Sequence, residues 1–219
     1  MGIFQTLTAQ PWSINQAKLD NLYAGRRSTA SAKKIALRVF LGVVTILFTL
    51  MLIAYAGRMG YEDWRPVPQL QLLWINTAIL ALSSLSMQWA QYSVRHRNLD
   101  AMRIGLLLGG ALTVIFLFGQ VLAWRQLSAM TYFDITIPAI GFFYMITGVH
   151  CLHMVGGLIA WCRTAPKVWS KVDIAKVQNS IELCTTYWHF LLVVWLVLFG
   201  LLFAGDNLEL VLKLCGIRR

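Results

Sequence analysis

Five long apolar runs, separated by short polar connections, dominate the chain. Residues 35–57, 70–89, 104–124, 135–161 and 181–204 form these runs. Each matches the roughly 20 residues that a helix rising 1.5 Å per residue needs to cross a hydrocarbon core of about 30 Å. Backbone amides inside lipid find no water, so each run is predicted to be helical throughout; the alternating strands of about ten residues that would build a membrane barrel are not seen. The pattern therefore predicts an all-α fold, a polytopic bundle of five transmembrane helices. A polar, basic tail (1–34) precedes the bundle (35–204), and a short tail (205–219) follows it. The polar start and the length of the first run argue against a cleavable signal.

Composition strengthens this picture. With 58% hydrophobic and only 13% charged residues, the chain could hardly assemble a water-soluble surface. The formal charge of +10 would suit nucleic acid if the cations formed one face, but they lie in clusters between apolar runs, as in loops beside a membrane. No nucleic-acid partner is expected.

Those clusters also set an orientation. Lys18, Arg26, Arg27, Lys33, Lys34 and Arg38 precede the first run, Arg95, Arg97 and Arg103 fall in the second connection, and Arg163, Lys167, Lys171 and Lys176 in the fourth. The opposite side has only Arg58, Arg65, Arg125, Lys213, Arg218 and Arg219. Because basic loops are retained inside, the N-terminus is predicted cytoplasmic and the C-terminus periplasmic.

Aromatic residues at the helix ends, Tyr55, Trp64, Trp89, Tyr92, Trp124, Tyr132 and Trp161, read as interfacial anchors. Gly105, Gly109 and Gly110 in the third run and Gly148, Gly156 and Gly157 in the fourth are expected to mark close helix contacts. Asn76, Ser83, Ser84 and Ser86 are expected to bond to backbone or to a neighbouring helix, and Pro66 and Pro68 suit the approach to the second helix. Cys151, Cys162, Cys184 and Cys215 show no CxxC pair and read as small buried side chains rather than a redox or metal site.

Ionisable groups within lipid are costly and are therefore the first place to look for function. Among the acids only Glu182 starts inside a predicted span; His150 and His153 lie in the fourth span and His189 in the fifth. His150 and His153, three apart, share a face, as do Glu182 and His189, seven apart. Antiparallel helices put His153 and His189 at similar depth, where they could meet. The four residues are expected to form an intramembrane polar cluster that locks two helices together, each hydrogen bond worth about 1 kcal/mol in a membrane. The sharper alternative is a membrane b-type cytochrome using His150, His153 and His189 as haem ligands, or a copper site. A transporter that relays protons through Glu182 is disfavoured, because paired repeats with broken helices are not visible.

Four stretches resemble the signatures of subunit III of the haem–copper oxidases, the cytochrome c oxidase type. They are FFYMITGVHCLHMVGG (142–157), ELCTTYWHFLLVVW (182–195), LLWINTAILALSS (72–84) and GQVLAWRQL (119–127), set in order within a match that covers most of the chain. The fuller form of the family has seven helices, so the resemblance implies a short, five-helix form. It also implies a non-catalytic accessory subunit of a respiratory terminal oxidase in a bacterial inner membrane. Such a subunit packs against the catalytic subunit I and other oxidase subunits, binds phospholipid between helix groups, and supports oxygen reduction and proton pumping. No cofactor is implied in this chain; haem and copper belong to partner subunits. Two positions depart from the family pattern: Val44 stands where a buried glutamate is usual, and Leu192 where an aspartate is.

Overall fold

In a computed structural model, residues 14–61, 64–65, 67–68, 70–130, 138–169 and 174–203 are described. These residues form α1 (Ile14–Arg58), α2 (Gln71–Arg95), α3 (Leu99–Met130), α4 (Pro138–Trp169) and α5 (Ile174–Phe203). All five contain a segment long and apolar enough to cross a membrane, within Ala32–Arg58, Gln71–Arg95, Leu99–Met130, Pro138–Pro166 and Val177–Leu202. The helices outrun the apolar runs that predict them. At 1.5 Å per residue, the 32 residues of α3 reach roughly 48 Å, well beyond the hydrocarbon layer. Helix termini thus lie past the lipid tails, where water or headgroups satisfy the last backbone groups. α1 starts at Ile14, inside the stretch expected as a polar tail; from Ile14 to Lys34 that stretch has no proline and is rich in Ala, Lys and Arg, which favour helix.

The chain divides into two compact units, Met1–Gly42 and Val43–Arg219. Residues 14–42 of the first are helical throughout. In the second, α2 packs most extensively against α3 and also against α5, while α5 packs on α4 and α4 on α3. The part of α1 in this unit contributes Val44, Phe48, Tyr55 and Met59 to an apolar cluster with Ile146 of α4 and Leu198 of α5. Large apolar side chains such as Ile115, Phe118 and Leu152 point outward, an arrangement that suits lipid as solvent.

A tight turn joins α2 to α3. His96 closes α2, Arg97 takes the left-handed conformation (φ 57°), and the next two amides turn back, Arg97 N–H to the Val94 carbonyl at 3.2 Å and Asn98 N–H to the Ser93 carbonyl at 3.0 Å. This is the Schellman pattern, with arginine in the position that usually takes glycine. Asn98 then starts α3, its Oδ1 accepting from Ala101 N–H at 3.1 Å. With no slack between them, α2 and α3 align as an antiparallel pair.

Glycine lets that pair approach. A Cβ on Gly105 would lie 3.0 Å from Ala90 Cβ, and one on Gly109 would lie 2.9 Å from Met87 Cγ, as the GxxxG spacing implies. Gly110 makes room for the Trp161 ring and Gly157 for Tyr187. Gly148 and Gly156 differ from the sequence reading: a Cβ on either would meet nothing within 4 Å. They turn away from helix contacts. Gly119, which the sequence reading passed over, is a close contact, since a Cβ there would fall on the Asn76 carboxamide.

Candidate functional site

The polar residues of the spans are gathered mainly where α2, α3 and α5 meet. Ser83 on α2 and Thr113 on α3, both fully buried, have hydroxyls 2.8 Å apart. Both reach the Gly109 carbonyl, at 2.7 and 2.8 Å. Trp188 of α5 donates its indole N–H into this pair, 3.1 Å from Ser83 Oγ and 2.9 Å from Thr113 Oγ1. Two turns further along α5, Trp195 Nε1 donates to Thr77 Oγ1 of α2 at 2.9 Å. Thr185 donates to the Met87 carbonyl at 3.2 Å, and Asn76 Nδ2 to Gln120 Oε1 at 3.5 Å. Each side chain reaches a neighbouring helix because its polar group has no water to turn to. Ser86 instead bonds back to the Leu82 carbonyl of its own helix, at 2.8 Å.

His189 belongs to this assembly. Its Nδ1 bonds to Ser84 Oγ and its Nε2 lies 2.8 Å from Gln88 Oε1. A neutral ring that donates from Nε2 to the amide oxygen and accepts the serine proton at Nδ1 satisfies both contacts. Equal depth would have allowed His189 to meet His153; both of its ring nitrogens instead bond α5 to α2. Depth along antiparallel helices is legible in a sequence, but which neighbour a helix face meets is not.

His150 is fully enclosed. Its Nε2 bonds to the Leu191 carbonyl of α5 at 3.1 Å, and Phe48, Phe116 and Trp195 surround the ring, with centroids 6.4, 6.0 and 5.1 Å away. His153, half-buried one turn along, bonds through Nδ1 to the Val149 carbonyl at 2.8 Å. Its own carbonyl receives the Tyr187 hydroxyl of α5 at 2.8 Å, and its ring lies 5.6 Å from that of Phe48. Glu182 is half-buried on α5, where its carbonyl accepts from Thr186 Oγ1 at 2.9 Å. No group of three His, Cys, Asp or Glu residues able to hold a metal is present among the described residues. Leu191 thus engages one ring nitrogen of His150, and Ser84 and Gln88 engage both of His189.

Several tryptophans and tyrosines act differently from the anchors expected. Trp124 Nε1 donates to Thr147 Oγ1 at 3.0 Å and Trp161 Nε1 to the Leu106 carbonyl at 2.9 Å, both joining α3 to α4. Tyr55 is only 1% exposed, packed edge-on against Trp64 and Phe142. Trp89 and Tyr92 are exposed at the end of α2, as an anchor should be; Tyr132 and Pro66 lie outside the described residues. Among the cysteines, Cys184 is buried and Cys151 half-buried, but Cys162 is exposed, contrary to the reading of all of them as buried; Cys215 lies outside the described residues. Helical phase decides this, since position 162 falls on the outer face of α4. Val44, where the resemblance expects a glutamate, is buried in a cluster with Phe48, Ile146 and Leu198, and Leu192 is half-buried. The space at position 44 is closed by apolar groups.

The cytochrome c oxidase subunit III family model matches residues 39–205. Cytochrome c oxidase subunit 3 of Thermostichus vulcanus is 29% identical over 178 residues, covering 77% of this chain and 85% of that protein. The Synechocystis sp. protein of the same name is 31% identical over 174 residues, 75% of this chain and 69% of its own length. A probable cytochrome c oxidase subunit 3 of Mycobacterium leprae is 31% identical over 173 residues, with coverage of 76% and 81%.

Proposed function

This chain belongs to the cytochrome c oxidase subunit III family and is a multi-pass bacterial membrane protein; from that premise we propose that it is a non-catalytic accessory subunit of a respiratory haem–copper oxidase. It packs against the catalytic subunit of the complex, which holds the haem and copper, and supports sustained oxygen reduction and proton pumping there. The observation that carries this reading is the use made of the histidines. His189 spends both ring nitrogens on α2 and His150 spends Nε2 on α5, so imidazoles that could have been ligands hold helices together instead. For His189, the b-type cytochrome reading would require one of its two bonds to break.

The same reading places the chain in the inner membrane with its N-terminus in the cytoplasm, following the basic connections, and with phospholipid in the grooves between the first two helices and the last three. Affinity purification from native membranes tests the central claim. A catalytic haem–copper subunit should accompany the chain, and the chain separated from it should show no reduced-minus-oxidised haem spectrum. A haem spectrum that stays with the separated chain would overturn the accessory role.

A further inference from the structure

Two side-chain atoms deep in the bundle have no hydrogen-bond partner among the described residues, His150 Nδ1 and Gln120 Nε2. Both residues are 0% exposed. A buried polar group left unpaired costs roughly 1–3 kcal/mol, and native interiors rarely tolerate one without a partner. The two are chemically complementary. His150 Nε2 faces a carbonyl, which only accepts, so Nε2 carries the ring proton and Nδ1 is left as an acceptor. Gln120 uses its oxygen to accept from Asn76, which leaves its amide N–H as a donor.

The helix register brings them to the same level. On α3, Gln120 sits one turn after Phe116 and one turn before Trp124. Phe116 meets the His150 ring of α4, and Trp124 bonds to Thr147, which lies about one turn from His150. Gln120 therefore lies on α3 at the level between Thr147 and His150 of α4. Trp195 of α5 closes the side, its ring 5.1 Å from both Phe116 and His150. The apolar rings of Phe48, Phe116 and Trp195 around His150 disfavour an ion, and a donor and an acceptor at one level call for a small neutral molecule that both accepts and donates.

We propose that one internal water molecule bridges Gln120 and His150, accepting from Nε2 of the amide and donating to Nδ1 of the ring. Two protein partners meet the minimum that a buried water requires. Through the Asn76 and Leu191 bonds at its two ends, the bridge links α2, α3, α4 and α5 in one polar path across the middle of the bundle.

A structure of the intact oxidase complex at a resolution that shows ordered water tests this directly. Density within about 3.2 Å of both nitrogens is the expected result. A direct bond between the two side chains, or no density between them, would overturn the proposal. Thermal unfolding of complexes carrying His150→Phe, Gln120→Leu and both changes gives a second, independent readout. Each single change should lower the midpoint, and the pair should lower it by less than the sum of the two, because the shared partner is lost only once while the Leu191 and Asn76 bonds are lost separately. Strictly additive losses would argue against a shared water. Should His150→Phe fail to assemble, the density in the unaltered complex still decides.

Discussion

The indole nitrogen of Trp188 lies 2.9 Å from the hydroxyl oxygen of Thr113, a bond that ties α5 to α3 and acts with those that tie α5 to α2. Replacing Trp188 by Phe keeps most of the ring volume and removes the donor to both Thr113 and Ser83. The expected loss is about 1 kcal/mol, the scale of interhelical hydrogen bonds in membranes, read as a lower unfolding midpoint of the purified complex. Trp188→Phe combined with Thr113→Val should lose less than the sum of the two changes. Full additivity would show that the two residues are not coupled.

Glycines separate into two groups with opposite expectations. Gly110→Ala places a methyl group against the Trp161 ring and Gly119→Ala places one on the Asn76 carboxamide, so both should reduce the yield of folded chain in the membrane. Gly148→Ala and Gly156→Ala meet open space and should leave yield unchanged or raise it slightly, since alanine favours helix by up to about 1 kcal/mol. Quantifying membrane-inserted chain for the four variants in parallel checks the contrast.

His189→Leu leaves Ser84 and Gln88 without the ring that joins them, and His153→Leu removes a polar side chain beside Phe48. Both variants should lower the amount of assembled oxidase more than they lower turnover per haem in the complex that does assemble. Normal assembly with a collapsed rate would argue for a direct role in the reaction. His189→Gln, which retains a donor and an acceptor, should recover part of the yield lost with leucine.

The turn between α2 and α3 carries a further expectation. Arg97 holds a left-handed backbone that glycine adopts without strain, so Arg97→Gly should stabilise the chain by up to about 1 kcal/mol. Asn98→Ala removes the cap at the start of α3 and should destabilise it by about 1 kcal/mol. Thermal unfolding of the two variants side by side distinguishes these opposite signs.

The five spans were legible because the apolar runs are long and the bilayer imposes one period and one length. Gly105 and Gly109 were legible as a packing face, since a repeat of four residues states its own geometry. The neighbour of each face was not. Equal depth allowed His189 to meet His153 of α4, and it bonds to α2; Gly119 looked unremarkable as a packing residue, yet it lies against Asn76; Trp124 and Trp161 looked like anchors, yet both bond across to another helix. In lipid, outward and inward faces carry the same apolar residue types, so the hydrophobic pattern that orients a soluble helix is silent about which side meets protein. Small and polar residues carry that information instead, and they do so only in pairs that a single chain does not reveal.

The left-handed turn at Arg97 has a consequence for how the protein enters its membrane. With only three residues between the end of α2 and the start of α3, neither helix has enough tether to settle in the bilayer while the other waits outside. The two should leave the translocation machinery together as a preformed hairpin, with the serine and glycine contacts between them closing during insertion. A flexible spacer placed after Arg97 would uncouple those events, and delayed or inverted insertion of α2 would be its signature.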